Sequence, residues 1–294
     1  MERASEHGVR LARRLPGDPL NLAEPAVLTG HAQAAVLALV AGIGLLIGSF
    51  LNVVIWRVPR GESVVAPPSA CPRCAHPIRR RDNVPVLSWL ALRGSCRDCH
   101  ERIPVRYPLV ELVTGVAFVV VAVRFGLGTD NGWAVPAYLY LAAIGVALTL
   151  IDLDTRRLPN AIVLPSYLVG PVLLAVASWG IQDWGALMRA VAAGAVLYVF
   201  YFVLMVVYPV GMGFGDVKLA GVLGLYLGWI GWGAFVVGAF AAFLLGGAFA
   251  VGLLASGRAG RKSGIPFGPW MVGGAAVGVV CGEQLWSGYI GLMS

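Results

Sequence analysis

Residues 219–257 read LAGVLGLYLGWIGWGAFVVGAFAAFLLGGAFAVGLLASG, 39 positions without one charged side chain. As a single helix this stretch would be roughly 58 Å long, nearly twice the ~30 Å hydrocarbon core of a bilayer. It is therefore read as two membrane helices that turn within the GWIGWG of 228–233. Six further runs are uncharged or nearly so: 32–56, 107–123, 134–151, 158–182, 190–214 and 263–282. The set predicts an all-α polytopic membrane protein of about eight transmembrane helices. Whole-chain composition agrees. Of 294 residues 58% are hydrophobic and 13% charged, about half the charged share of a soluble domain. That excludes a soluble globular domain and a disordered chain alike. The first apolar run is longer than the apolar segment of a signal peptide and leads into a basic stretch, so it is a retained helix. Most of the 39 glycines fit close helix packing.

Charge orients the chain. Residues 57–106 hold ten of the 22 basic residues, Arg57, Arg60, Arg73, Arg79, Arg80, Arg81, Arg93, Arg97, Arg102 and Arg106. Placing this loop in the cytoplasm puts Arg156, Arg157, Lys218, Arg258, Arg261 and Lys262 there as well, with both termini outside. A positive loop of this kind lies against anionic lipid headgroups, so a net charge of +7 needs no nucleic-acid partner. The expected organisation is a flexible tail over 1–33, a first helix over 34–56, a cytoplasmic loop domain over 57–106, a seven-helix membrane core over 107–288 and a short tail over 289–294.

Four of the five cysteines lie in that loop, as Cys71 and Cys74, then Cys96 and Cys99. Two C-x2-C knuckles separated by 21 residues supply four thiolates, enough to close a tetrahedral Zn²⁺ shell. A reducing cytoplasm disfavours the disulfide alternative. With no open coordination position the zinc is structural, and in a loop with little apolar material it supplies folding energy. His76 and His100 are read as surface residues beside the knuckles, and Cys281 as a packing residue.

Acids at a membrane boundary are functional hypotheses by default. Four qualify: Glu111, Asp152, Asp154 and Asp216. Asp152 and Asp154 end the third apolar run, Asp216 opens the sixth within GFGD at 213–216, and the topology sets all three at one face. Two carboxylates in contact share a proton, so one can act as base toward water while the other donates to a carbonyl. That is equipment for peptide hydrolysis without a metal or a side-chain nucleophile. Helix dipoles favour the anion on Asp216, at a helix N-terminus, and the proton on Asp152, near a C-terminus. The structural alternatives are a helix cap by Asp216 and pairing of Asp152 or Asp154 with Arg156 or Arg157. Asp152 and Asp154 point about 200° apart on a helix, and spacing does not choose between them. Glu111, one turn after Arg106, reads as an ion-paired acid.

Several of these motifs, in this order, carry a resemblance. The segment GSFLNVVI at 48–55, the two knuckles, DNVPVLSWL at 82–90, RYPLVEL at 106–112, the Asp152 segment and GFGD at 213–216 resemble type IV prepilin peptidases. That family comprises the leader peptidase and N-methyltransferase enzymes of type IV pili and type II secretion. The resemblance implies that Asp152, seven residues before Pro159, and Asp216 are the catalytic aspartates. Gly213, Gly215, Lys218, Asp154 and Glu111 become supporting residues. It further implies a bacterial inner-membrane enzyme that cuts the basic leader of prepilins or pseudopilins after a glycine, at the cytoplasmic face. Methylation of the new N-terminus with S-adenosylmethionine is the second expected activity, since the cysteine loop accompanies bifunctional members; no residue is assigned to the methyl donor. The alternatives are a peptidase without methyl transfer, a transporter using membrane carboxylates and a non-catalytic assembly subunit. Asn160 stands where the family commonly has aspartate, an effect expected on a helix cap.

Overall fold

The computed structural model describes residues 30–126, 129–209, 211–257 and 266–293. Most of the expected 1–33 tail lies outside the described residues, as do Arg258, Arg261 and Lys262. Among the described residues, nine α-helices form: α1 (Gly30–Arg57), α2 (Leu87–Ala91), α3 (Arg106–Phe125), α4 (Val135–Thr155), α5 (Asn160–Ile181), α6 (Trp184–Val207), α7 (Phe214–Ile230), α8 (Trp232–Ala255) and α9 (Gly268–Met293). Eight of them are long, one for each expected span. Six, α1, α3, α4, α5, α6 and α8, are long and apolar enough to cross a membrane on their own. At 17 residues α7 is shorter than a full crossing, but it is the sheathed centre of the bundle, with twelve of those residues buried. The glycine-rich α9 carries Glu283.

Helix ends follow local chemistry. The 39-residue apolar run breaks at Gly231, inside the expected turn. Pro159 caps α5, and the Asp183 carboxylate accepts the Ala186 N–H at 3.0 Å to start α6. That start lies before the apolar run that suggested it, because Arg189 sits inside the helix. Its guanidinium donates to the carbonyls of Gly228 and Trp229 at 2.8 and 2.9 Å and so caps the end of α7. The helix α1 begins at Gly30, within the expected N-terminal tail, and α9 continues to Met293, so residues 289–293 are helical rather than a tail.

Three antiparallel pairs, α1 with α3, α6 with α7 and α8 with α9, are joined through α4, α5 and α7. Glycines set the closest approaches. A Cβ on Gly44 would come 2.7 Å from the Gly115 Cα, and one on Gly48 would come 2.6 Å from the Glu111 Cα. The main core gathers Tyr138, Leu148, Leu174, Tyr226 and Trp229, and the Tyr138 hydroxyl donates to the Tyr226 carbonyl at 2.7 Å. A second cluster, Leu51, Ile55, Val110, Ala147 and Ile151, fastens α1 and α3 to the last turns of α4.

Candidate active site

The last turn of α4 holds Asp152, which is only 5% exposed. Its Oδ2 accepts the N–H of Gly268, the first residue of α9, at 3.0 Å. Asp216 stands in the first turn of α7, half-buried, and its Oδ2 accepts the Gly213 N–H at 3.0 Å. The ends of four helices therefore meet at one pole of the bundle. Gly215 packs on Leu158, which precedes α5, and Lys218 of α7 donates to the Asn160 Oδ1 at the start of α5. There Asp152 stands in the last turn of α4 and Asp216 in the first turn of α7. Sixty-four residues of chain separate the two acids.

This geometry revises the dipole argument. Asp152 does end its own helix, but it also faces the N-terminus of α9, whose first N–H it accepts. Each acid thus receives one helix-terminal N–H, and the expected asymmetry between them is largely removed. Asn160 does not cap α5; Pro159 takes that place, and Asn160 ties α5 to α7 through Lys218.

Asp154 turns away to the exit of the cysteine loop. Its two oxygens accept the Arg106 guanidinium at 2.8 and 2.6 Å, rather than pairing with Arg156 or Arg157. Glu111 is buried, and its partner is not a cation: Oε2 accepts the Val86 N–H at 2.8 Å. Glu111 thereby ties the loop to α3, and Asp154 ties the start of α3 to the end of α4.

Within the loop the two knuckles are structural copies offset by 25 residues. Cys71 and Cys96 each accept, at the backbone carbonyl, the N–H four residues on, from Ala75 and His100. Those two residues take positive φ of 56° and 56°, and a bridge closes each copy, Ala70 with Pro77 and Ser95 with Arg102. The four sulfur atoms lie within 4.8 Å of one another, a group that could hold a metal ion. The Cys71 and Cys99 sulfurs are 3.7 Å apart, close to the ~3.8 Å edge of a tetrahedron with ~2.3 Å metal–sulfur bonds. The backbone N–H groups of Cys74 and Arg73 push the Cys71 thiol down to about 6, whereas desolvation and the neighbouring thiols push Cys99 up to about 12, so the cluster readily gives up one proton and holds that of Cys99. Three of the loop's four acids are ion-paired around this centre: Asp82 with Arg97, Asp98 with Arg79 and Glu101 with Arg73.

Residues 43–125 match the bacterial peptidase A24 N-terminal domain, and residues 139–251 match the type IV leader peptidase family. The prepilin leader peptidase/N-methyltransferase of Aeromonas salmonicida (strain A449) is 35% identical over 279 residues, covering 86% of this chain and 93% of the relative. The chain belongs to the type IV leader peptidase family. The Pseudomonas aeruginosa prepilin leader peptidase/N-methyltransferase is 34% identical, covering 90% and 96%, and that of Neisseria gonorrhoeae is 34% identical, covering 84% and 91%. No solved structure matches.

Sequence reasoning missed three residues of this leader peptidase. Gly268 supplies the N–H held by Asp152, but 116 residues separate them and no spacing rule joins them. Arg106 is legible as a loop charge and as the start of RYPLVEL, but its pairing with Asp154 is not. Glu283, just beyond the last apolar run, accepts the Ala234 N–H at 3.0 Å and caps α8 at the opposite pole. Its signal was an acid flanked by apolar sequence, the same that drew attention to Glu111.

Proposed function

We propose that this leader peptidase is a multi-pass enzyme of the bacterial inner membrane. It removes the basic leader of prepilins or pseudopilins at the cytoplasmic face and then methylates the new N-terminus with S-adenosylmethionine. What supports the reading is the placing of Asp152 and Asp216 at helix ends of one pole, each anchored by a helix-terminal N–H, in a chain aligned over most of its length with enzymes of that name. One carboxylate takes a proton from water as the water attacks the scissile carbonyl, and the other donates its proton to the carbonyl oxygen. Collapse of the tetrahedral intermediate breaks the C–N bond, and the departing amine takes up a proton. A transporter would hold its acids near the bilayer midplane, whereas Asp152 and Asp216 belong to terminal turns.

Cys71, Cys74, Cys96 and Cys99 would hold a structural zinc ion, which supplies folding energy to the loop and takes no part in hydrolysis. The loop's surplus of arginine favours contact with anionic lipid. The test is the full chain in proteoliposomes with a synthetic prepilin peptide, with and without S-adenosylmethionine, read by mass spectrometry. Wild type yields the cut product, and a methyl adduct only with the donor. Asp152→Asn and Asp216→Asn each lower cleavage on the order of 10²–10⁴-fold. Full cleavage by either variant overturns the assignment.

A further inference from the structure

Glu111 is a buried acid that the peptidase pair leaves unused. It lies five residues into α3, about 7.5 Å along the helix from Arg106, and is 8% exposed. Carboxylates at such positions are paired with a cation or serve a function. The ion pairs among the described residues do not include Glu111. Its Oε2 is committed to the Val86 N–H, and its Oε1 takes no hydrogen bond among the described residues.

The residue that holds Oε2 is itself unusual. Val86 has φ 60° and ψ −49°, and the Leu87 N–H closes onto the Pro85 carbonyl. This is a three-residue γ-turn of positive φ, strained for any side chain and most of all for a β-branched one. Such strain persists where the surroundings over-determine it. Here it aims one loop N–H at one oxygen of a membrane carboxylate and leaves the other oxygen open.

Depth places Glu111 at the same end of the bundle as Asp152. Its chain neighbour Val110 and the neighbour of Asp152, Ile151, share one apolar cluster, and the Arg106–Asp154 pair levels the start of α3 with the end of α4. Cleavage at Asp152 and Asp216 releases a cation, the α-ammonium of the shortened peptide. We propose that the open oxygen of Glu111 receives this ammonium, orients it and takes its proton for methyl transfer. The neutral amine then attacks the methyl carbon of the sulfonium donor; the N–C bond forms, the C–S bond breaks, and its electron pair stays on sulfur as a thioether. The amine rather than the sulfonium is the partner because only the amine has a proton to surrender. This inference rests on the methyl-transfer reading above.

The experiment uses the full chain in nanodiscs and a pre-cut pilin peptide with a free or an acetylated N-terminus. Without methyl donor, wild type binds the free-amine peptide at least ~10-fold more tightly than the acetylated one, by fluorescence anisotropy. Glu111→Gln, which keeps an acceptor for Val86, loses that preference, and its methyl transfer falls on the order of 10²-fold relative to its cleavage of the uncut precursor. Glu111→Asp, which keeps the charge, retains a measurable preference. A Glu111→Gln protein that keeps the preference or the wild-type ratio of methyl transfer to cleavage overturns the inference alone. Equal loss of both activities in both variants makes Glu111 a packing residue and overturns it as well. A wild-type protein that cuts but never methylates sinks the methyl-transfer reading, and this inference with it.

Discussion

Gly268→Ala tests how tightly the Asp152 carboxylate is held. A methyl group built there would stand 2.8 Å from Oδ2 and 3.3 Å from Cγ, whereas ordinary contact begins at 3.4 Å. The acid must therefore retreat by about 0.6 Å or rotate away from the Gly268 N–H, since the obstructing carbon rides on the residue that donates the bond. A misplacement of about 1 Å at a reacting group costs on the order of 10²-fold, so cleavage should fall roughly 10- to 100-fold. Stability should move the other way or not at all, because alanine exceeds glycine in helix propensity by up to about 1 kcal/mol. The assay pairs cleavage of a prepilin peptide with thermal unfolding of the same preparation. Methyl transfer to a pre-cut peptide serves as the internal control and should stay near wild type. Cleavage within twofold of wild type in a normally folded Gly268→Ala protein would refute the claim that this N–H sets the position of Asp152.

Other outcomes follow from the loop and the far pole. The full chain should bind about one zinc ion, and chelation should make residues 57–106 sensitive to protease while the helical signal of the membrane core persists; equal resistance with and without metal would remove the structural role. Arg106→Met should lower stability by no more than ~1 kcal/mol, because the Arg106 and Asp154 side chains are 43% and 40% exposed, and charge exchange between the two should restore most of it. The Arg97 guanidinium holds the Asp82 carboxyl below the usual carboxylate range. The stability this pair gives the loop is therefore complete above pH ~4 and is lost as pH falls through the depressed pKa; Arg97→Gln should flatten that acid step in a pH series of loop proteolysis. Arg189→Met leaves the Gly228 and Trp229 carbonyls without their donor and should destabilise the fold by about 1.5–3 kcal/mol, read as earlier thermal unfolding.

The long helices and the knuckles were legible because each is written locally. An apolar run announces a span whatever surrounds it, and C-x2-C twice over announces four sulfurs gathered at one point. The break at Gly231 was legible for the same reason: 39 residues exceed one crossing. The contacts between helices were not. A helix apolar on every side carries no stripe that says which side meets which neighbour, so nothing along the chain linked Gly268 to Asp152 or Arg106 to Asp154. Sequence proximity offers Asp154 the adjacent Arg156 and Arg157 as alternative partners, yet the partner it takes lies 48 positions away. Charge also misled at Arg189, where a lone cation suggested a helix boundary and instead sits within a helix to cap another.

The Val86 amide on Glu111 ties the cysteine loop to α3, and Arg106 on Asp154 braces the start of α3 against the end of α4, so the loop is moored to a helix that is itself fixed to the one carrying Asp152. With Glu111 as the proposed seat of the new amine, traffic between the two chemistries runs through the peptide: its fresh end leaves Asp152 and Asp216 for a moored bracket. On that proposal the order of the two steps follows from the architecture, and how often a trimmed chain escapes before completing that short journey sets the fraction released unmodified.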